Sequence, residues 1–164
     1  MHADSPFRIQ PATERDVPAL LRMTRALAEY EKVLDQVTAT EASLRESLFG
    51  ANPAAEAIVG YADGEPAGMA VLFQTYSTFS GRPGLYVEDI FVEQNRRGRG
   101  LGKALMTYAA ALALQRGCFR LEWSVLNWNE PAIGFYRSLG ARPQDQWTVY
   151  RLADEALERL AAGA

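Results

Sequence analysis

The chain has 164 residues, a net charge of −3 and 48% apolar residues, which fits a single globular domain, residues 1–164, with a sizeable core. The acidic balance argues against nucleic acid as a partner. No apolar run reaches the roughly 18 residues of a membrane-spanning helix, so we expect no membrane partner either. The first residues, MHADSPFRIQ, lack the apolar core of a signal peptide, and we therefore expect a cytoplasmic protein.

The chain has one cysteine, Cys118, and one histidine, His2. A single cysteine excludes an internal disulfide. Ser-His-Asp and Cys-His catalysis are excluded as well, and almost nothing is left for a zinc site. Because Cys118 follows a glycine in an apolar stretch, we predict a small buried residue. Acid–base chemistry must come from carboxylates, tyrosine, lysine, the thiol or water.

Hydrophobic periodicity and turn signals predict an alternation of strands and helices. The first half is predicted to hold a strand Phe7–Gln10, a helix Glu14–Glu31, a helix from Thr38 to Gly50, and strands Ala55–Tyr61 and Pro66–Tyr76. Capping boxes are predicted at Thr13 with Asp16 and at Thr38 with Glu41, and a hairpin turn at Asp63-Gly64.

The second half is predicted to continue the alternation after a loop at Ser77–Gly84. Its elements are a strand from Leu85, a helix ending at Gly117, a strand Phe119–Leu126, a helix capped by Asn129 and ending at Gly140, a strand Gln146–Leu152, and a C-terminal helix capped by Asp154. This order of elements predicts one α+β domain in which helices interrupt a mixed sheet.

The stretch Leu85–Tyr108, LYVEDIFVEQNRRGRGLGKALMTY, is the most informative. Its strand carries adjacent carboxylates, Glu88 and Asp89. Its turn holds Gly98, Gly100 and Gly102 among arginines and leads into a helix. Such a turn can present backbone N–H groups and positive charge to an anion. The stretch therefore predicts an enzyme that uses a phosphorylated cofactor.

Two familiar phosphate-binding motifs do not fit this turn. A Walker A loop would need glycine where Arg97 stands and Ser or Thr where Ala104 follows the lysine. A dinucleotide fingerprint starting at Gly98 or Gly100 would require its last glycine at Lys103 or Leu105. Both motifs are excluded.

The remaining pattern is Arg97-x-x-Gly100-x-Gly102 between a strand and a helix. It resembles the signature with which the GNAT superfamily of N-acetyltransferases holds the pyrophosphate of coenzyme A. The segments VLNWN, FY and LGA follow in the order of that family, and the likeness spans roughly Phe7 to Leu160. LYVEDIFV and RRGRGLG look like the diamine (spermidine/spermine) branch, some of whose bacterial relatives act on thialysine or other amino acids.

The resemblance implies a GNAT fold, which is a central mixed, mostly antiparallel, splayed β-sheet flanked by helices. It also implies acetyl-CoA as cosubstrate, no metal, and direct attack of an amine in a ternary complex. A bulge in the strand before the turn would let a backbone N–H of Ile90–Val92 polarise the thioester carbonyl. The residues implied to bind the cofactor are Ile90, Phe91, Val92, Arg97, Gly98, Arg99, Gly100, Leu101, Gly102, Lys103, Asn129, Phe135 and Tyr136.

The resemblance also implies catalytic roles. Glu88 would be the general base, acting through water, and Tyr136 would protonate the departing thiolate. Asp89 would support or orient the substrate, since consecutive strand residues point to opposite faces and at most one should face a given cleft. Simpler interpretations remain open. Asn129 is explained as a helix cap, Tyr136 as a packing residue, and the glycines as a tight turn.

The amine itself is less defined. Tyr30, Glu31 and Asp35 match the amine-recognition segment of the branch, and Glu88 and Asp89 would complete the substrate site. Ser77 and Asn127 stand where polyamine enzymes carry acidic residues. We therefore favour a small primary amine, such as an amino-acid side-chain amine or a short diamine, over spermine.

Assembly and the kind of activity are open at this stage. Enzymes of the branch generally pair, so we expect a homodimer. Two alternatives to small-molecule acetylation remain. One is a non-catalytic domain that senses acetyl-CoA on the same fold. The other is an enzyme that acetylates a protein's lysine or N-terminus.

Overall fold

The computed structural model describes residues 7–163, and His2 lies outside the described residues. The chain forms two compact units, one ending at Leu126 and one beginning at Asn127. Within residues 7–126, the elements are β1 Phe7–Pro11, α1 Val17–Tyr30, α2 Glu41–Phe49, β2 Glu56–Ala62, β3 Glu65–Ser77, β4 Arg82–Val92, α3 Leu101–Gln115 and β5 Leu121–Trp123. None of the helices described between residues 7 and 163 is long and apolar enough to cross a membrane.

The sheet of the first unit has the strand order β1-β2-β3-β4-β5. The first four strands pair antiparallel with their neighbours, whereas β4 and β5 pair parallel. This arrangement confirms the predicted mixed, mostly antiparallel sheet. β4 begins at Arg82 rather than at Leu85, and β5 is confined to three residues of the predicted Phe119–Leu126.

Helices cover both faces of this sheet. On one face, the buried residues Leu20 and Met23 of α1 pack with Met69 and Phe91, and Leu44 and Leu48 of α2 border the same cluster. We call this the α1 face. On the opposite face, a Cβ on Gly68 would meet Leu101 and Leu105 of α3 at 3.2 Å. Gly68 is therefore needed for the close packing of α3, and we call this the α3 face.

The predicted capping signals are confirmed in one case and shifted in the other. Asp16 accepts hydrogen bonds from the Thr13 backbone N–H at 2.7 Å and from its hydroxyl at 3.0 Å. The predicted cap Thr38 is wrong. Thr40 caps α2 instead, accepting from the Ser43 N–H at 3.1 Å, since this pair has the same spacing two residues further on. Gly50 ends α2 as predicted.

The predicted turns are confirmed in the first unit. Asp63 and Gly64 join β2 to β3 with φ angles of 54° and 84°, the left-handed conformation of a tight hairpin turn. Gly117, with φ of 71°, follows α3. Cys118 is 3% exposed, which confirms the expected small buried residue.

The second unit holds α4 Glu130–Ser138 and α5 Asp154–Ala161. Asn129 caps α4, accepting from the Ala132 N–H at 3.4 Å, as predicted. The predicted cap of α5 is wrong by one position, because Ala153 is the N-cap and Asp154 is already helical.

The predicted strand Gln146–Leu152 is also wrong. Those residues form turn and irregular structure, with the Trp147 N–H bonded to the Gln144 carbonyl at 3.2 Å. Their apolar side chains are exposed, for example 83% for Val149 and 92% for Tyr150. The stretch is rich in aromatic and β-branched residues that favour strands, but a local preference without a paired neighbouring strand does not stabilise one.

Candidate active site

The turn between β4 and α3 has a conformation that depends on glycine. We call residues Arg97–Lys103 the glycine turn. Gly98 and Gly100 have φ of 75° and 92°, a region that side-chain-bearing residues disfavour. A Cβ on either would meet nothing within 4 Å, so the backbone conformation, and not crowding, requires glycine there.

The glycine turn leads directly into α3. Leu101, the first helical residue, is 1% exposed and anchors the helix start in the core. The first N–H groups of a helix have no partner within it, and the helix dipole adds positive potential at the same end. Arg99 and Lys103 are exposed around this end. The turn can therefore bind an anion such as a pyrophosphate.

The strand before the turn separates from its neighbour. β4 and β5 pair from Leu85↔Leu121 to Val87↔Trp123, where β5 ends, while β4 continues to Val92 along β3. Alternate N–H groups of an antiparallel strand point to its two sides. The segment Ile90–Val92 therefore directs N–H groups towards the side that β5 has left, as expected for a splayed sheet.

A β-bulge lies at Glu88. Val71 pairs with Asp89 and the next residue, Leu72, pairs with Val87, so Glu88 is an extra residue in β4. Phe91 belongs to the cluster on the α1 face, and alternation back from it places Asp89 on that face too. The buried Val87 lies on the opposite face, so alternation forward from it places Glu88 on the α1 face as well.

The expectation that at most one of the two carboxylates faces a given cleft is therefore wrong. Simple alternation assumes a regular strand, and the bulge breaks it. Glu88 is exposed, whereas Asp89 is half-buried beside it.

A third acidic side chain, Glu31 at the end of α1, lies near these two carboxylates. Burial first, and then the negative charges of Glu88 and Glu31, raise the pKa of Asp89 to about 6. Burial also raises the pKa of Glu31. Glu31, Glu88 and Asp89 thus form one acidic cluster, which suits a cationic group. Asp35, in the 3₁₀ turn Leu34–Gln36, is exposed.

Arg97 is held between aromatic rings. Its guanidinium carbon lies 5.2 Å from the centroid of the Tyr30 ring and 5.5 Å from that of Phe91. Its Nε donates to the Val92 carbonyl at 3.0 Å. No local sequence signal predicts this arrangement, because Tyr30 and Arg97 are far apart in the chain.

The second unit contains the other predicted site residues. Asn129 is 7% exposed and caps α4, on which Phe135 and Tyr136 follow each other. The two rings have centroids 5.4 Å apart and are tilted by 51°. The cap explains the buried amide of Asn129, whereas helical spacing alone does not explain a hydroxyl at Tyr136.

Comparison with known proteins identifies the family. The model of the Acetyltransferase (GNAT) family matches residues 21–141, most of the chain. The chain belongs to the GNAT acetyltransferase family and is an acetyltransferase.

Relatives with assigned activities extend over nearly the full length. Thialysine N-epsilon-acetyltransferase of Sus scrofa is 40% identical over 164 residues, covering 93% of this chain and 96% of the relative. L-ornithine N5-acetyltransferase of Arabidopsis thaliana is 28% identical over 198 residues, covering 93% and 87%.

The family match confirms the predicted GNAT fold, and a solved structure has the same fold. An integron cassette protein from the mobile metagenome of V. cholerae matches with a TM-score of 0.80 and 26% identity, covering 95% of this chain and 98% of that one.

Proposed function

We propose that this chain transfers an acetyl group from acetyl-CoA to the side-chain amine of a small amino acid or to a short diamine. One observation carries the proposal. The bulge at Glu88 puts two carboxylates on one face of the strand that continues into the glycine turn. An amine and an anionic cofactor would thus be held by consecutive parts of one strand-turn-helix segment.

The glycine turn fits the pyrophosphate of coenzyme A. Its left-handed glycines leave open space where Cβ atoms would otherwise project. The N–H groups of Leu101, Gly102 and Lys103 belong to the first turn of α3 and are available to an anion. Arg99 and Lys103 would add positive charge. When bound, acetyl-CoA supplies an activated acetyl thioester.

The residues of β4 have two proposed roles. Glu88 accepts a proton from the ammonium form of the substrate through water, because only the neutral amine is nucleophilic. A backbone N–H of Ile90–Val92, on the side that β5 leaves, donates to the carbonyl oxygen on which negative charge develops. Holding the reacting groups in this geometry contributes several kcal/mol towards the barrier.

The second unit supplies the proposed acid. Tyr136 donates its phenolic proton to the departing thiolate. Asn129 caps α4 and is proposed to contact the pantetheine arm, with Phe135 beside it. We propose that residues 1–164 make up one acetyltransferase domain, which is supported by a family match that runs across both units.

The amine is assigned from charge and from the relatives. Glu31, Glu88 and Asp89 would attract a cation, with Tyr30 and Asp35 nearby in sequence. The relatives are named for acetylating the side-chain nitrogen of thialysine and of ornithine. Ser77 and Asn127, both uncharged, favour such amines over spermine. We further propose a cytoplasmic homodimer that uses no metal.

The test is acetylation of thialysine by the purified chain, with and without Tyr136→Phe. Loss of the proton donor is expected to lower kcat about a hundredfold or more, while the Kd of coenzyme A, measured by calorimetry, stays nearly the same. Tyr150→Phe is the matched control, because that ring is 92% exposed.

One result would contradict the proposed activity, and another would contradict only the proposed role of Tyr136. Coenzyme A binding without acetylation of any amine would favour a sensor. An unchanged kcat in Tyr136→Phe would leave the acetyltransferase activity standing but remove Tyr136 from the chemistry.

A further inference from the structure

The C-terminal end of α1 has a fixed geometry. Lys32 has φ of 62°, its N–H bonds to the Glu29 carbonyl at 3.1 Å, and the Val33 N–H bonds to the Ala28 carbonyl at 2.8 Å. This is the Schellman pattern of helix ends. The last helical residue, Tyr30, and the following Glu31 are therefore held in defined directions.

The ring of Tyr30 meets the first residue of the glycine turn. The Arg97 guanidinium lies over Tyr30 and over Phe91 at 5.2 and 5.5 Å, within the range of a cation–π interaction. Its Nε also donates a hydrogen bond to the Val92 carbonyl at 3.0 Å. One side chain thus joins the end of α1, the end of β4 and the start of the glycine turn.

We propose that Tyr30 is a positioning residue that acts through Arg97, holding the glycine turn in its anion-binding conformation. Tyr30 was predicted to contact the amine, but its ring lies against the side chain that opens the cofactor turn. Glu31, the next residue, belongs to the acidic cluster. Adjacent residues at the end of α1 thus belong to the proposed amine site, through Glu31, and contact the glycine turn, through Tyr30. This inference rests on the proposed use of coenzyme A.

The first test needs no ligand. Hydrogen exchange is measured by mass spectrometry on peptides covering residues 93–103 of the ligand-free protein. Tyr30→Leu removes the ring and is expected to speed exchange in these peptides, whereas Tyr30→Phe keeps the ring and leaves exchange slow. Tyr150→Leu, at a ring that is 92% exposed, is the control for loss of a tyrosine elsewhere.

The second test measures the Kd of coenzyme A by calorimetry in a double-mutant cycle. Tyr30→Leu is expected to weaken binding by about two- to thirtyfold, the range of a cation–π contact. Tyr30→Phe should bind as the wild type does. In an Arg97→Leu background, Tyr30→Leu should have no further effect, because the partner is already gone.

The outcomes separate this inference from the proposed function. If Tyr30→Leu raises only the KM for the amine, with Kd and exchange unchanged, Tyr30 contacts substrate and the inference is wrong. It is also wrong if Tyr30→Phe is as impaired as Tyr30→Leu, since the hydroxyl would then matter. If the wild type binds no coenzyme A, the proposed function fails, and the exchange data alone decide whether Tyr30 orders the turn.

Discussion

The carboxyl of Asp89 is half-buried and has two acidic neighbours, Glu88 and Glu31. Its pKa is raised to about 6 from 3.8, by burial first and then by Glu88 and Glu31. Between about pH 4 and pH 6 the folded chain therefore binds more protons than the unfolded chain. Its free energy of unfolding falls as the pH rises through this range and is lowest, as far as Asp89 is concerned, above pH 6.

Asp89→Asn should consequently stabilise the protein at neutral pH. The side chain stays polar but no longer ionises, and the gain is at most about 3 kcal/mol at pH 7.5, shrinking towards zero near pH 4. Urea unfolding at several pH values measures it. Asp35→Asn, at an exposed carboxylate, should change little. A gain from Asp89→Asn that does not vary with pH would show that ionisation of Asp89 is not the cause.

Side-chain roles could be predicted from the sequence only where the signal is local. The Asn129 cap lies next to its helix in the chain, and the structure confirms it. The contact of Tyr30 with Arg97 depends on how α1 lies beside β4. No spacing rule connects residues on two separate elements, so this contact was missed.

The glycine turn allows a prediction for a whole element. Gly98→Ala places a Cβ on a residue with φ of 75°, which costs about 1–2 kcal/mol and would tilt the N–H groups that we propose bind the cofactor. We expect a lower free energy of unfolding in denaturant melts together with weaker coenzyme A binding.

Gly134→Ala is the matched control for Gly98→Ala. Gly134 lies within α4, and a Cβ there would meet nothing within 4 Å. Alanine in a helix interior gains about 0.5–1 kcal/mol over glycine. If both substitutions changed the free energy of unfolding in the same direction, the left-handed conformation of Gly98 would not be the reason why the turn requires glycine.

Most elements were predictable because their signals agree with one another. Periodicity, caps and turn residues of β1, α1 and the β2–β3 hairpin all point to the same structure, and it forms. The predicted strand Gln146–Leu152 had only its aromatic and β-branched composition, and strand pairing is a tertiary property. The bulge in β4 was expected from the family resemblance and the structure confirms it, but its position at Glu88 could not be predicted, since any residue of a strand can be the extra one.

The residues that we propose select the amine are spread over the chain. Glu31, Glu88 and Asp89 supply negative charge, and Ser77 and Asn127 add none. A panel of thialysine, lysine, ornithine, spermidine and a lysine-containing peptide, each with acetyl-CoA, should show the highest kcat/KM for the amino acids. A preference for spermidine would contradict this assignment, and activity on the peptide alone would indicate a protein acetyltransferase.

The extra residue of β4 shifts the alternation of side chains along the strand by one position. Before it, even-numbered positions such as Tyr86 face α1; after it, odd-numbered positions such as Phe91 do. Deleting Glu88 would remove one carboxylate and leave the later side chains on their faces, because the strand would then alternate regularly. If Glu88 stayed and β4 paired without the bulge, the whole end of the strand would invert. Asp89 would turn away from Glu31, and Phe91 would leave Arg97. A single insertion thus sets the orientation of the acidic and the aromatic side chains together.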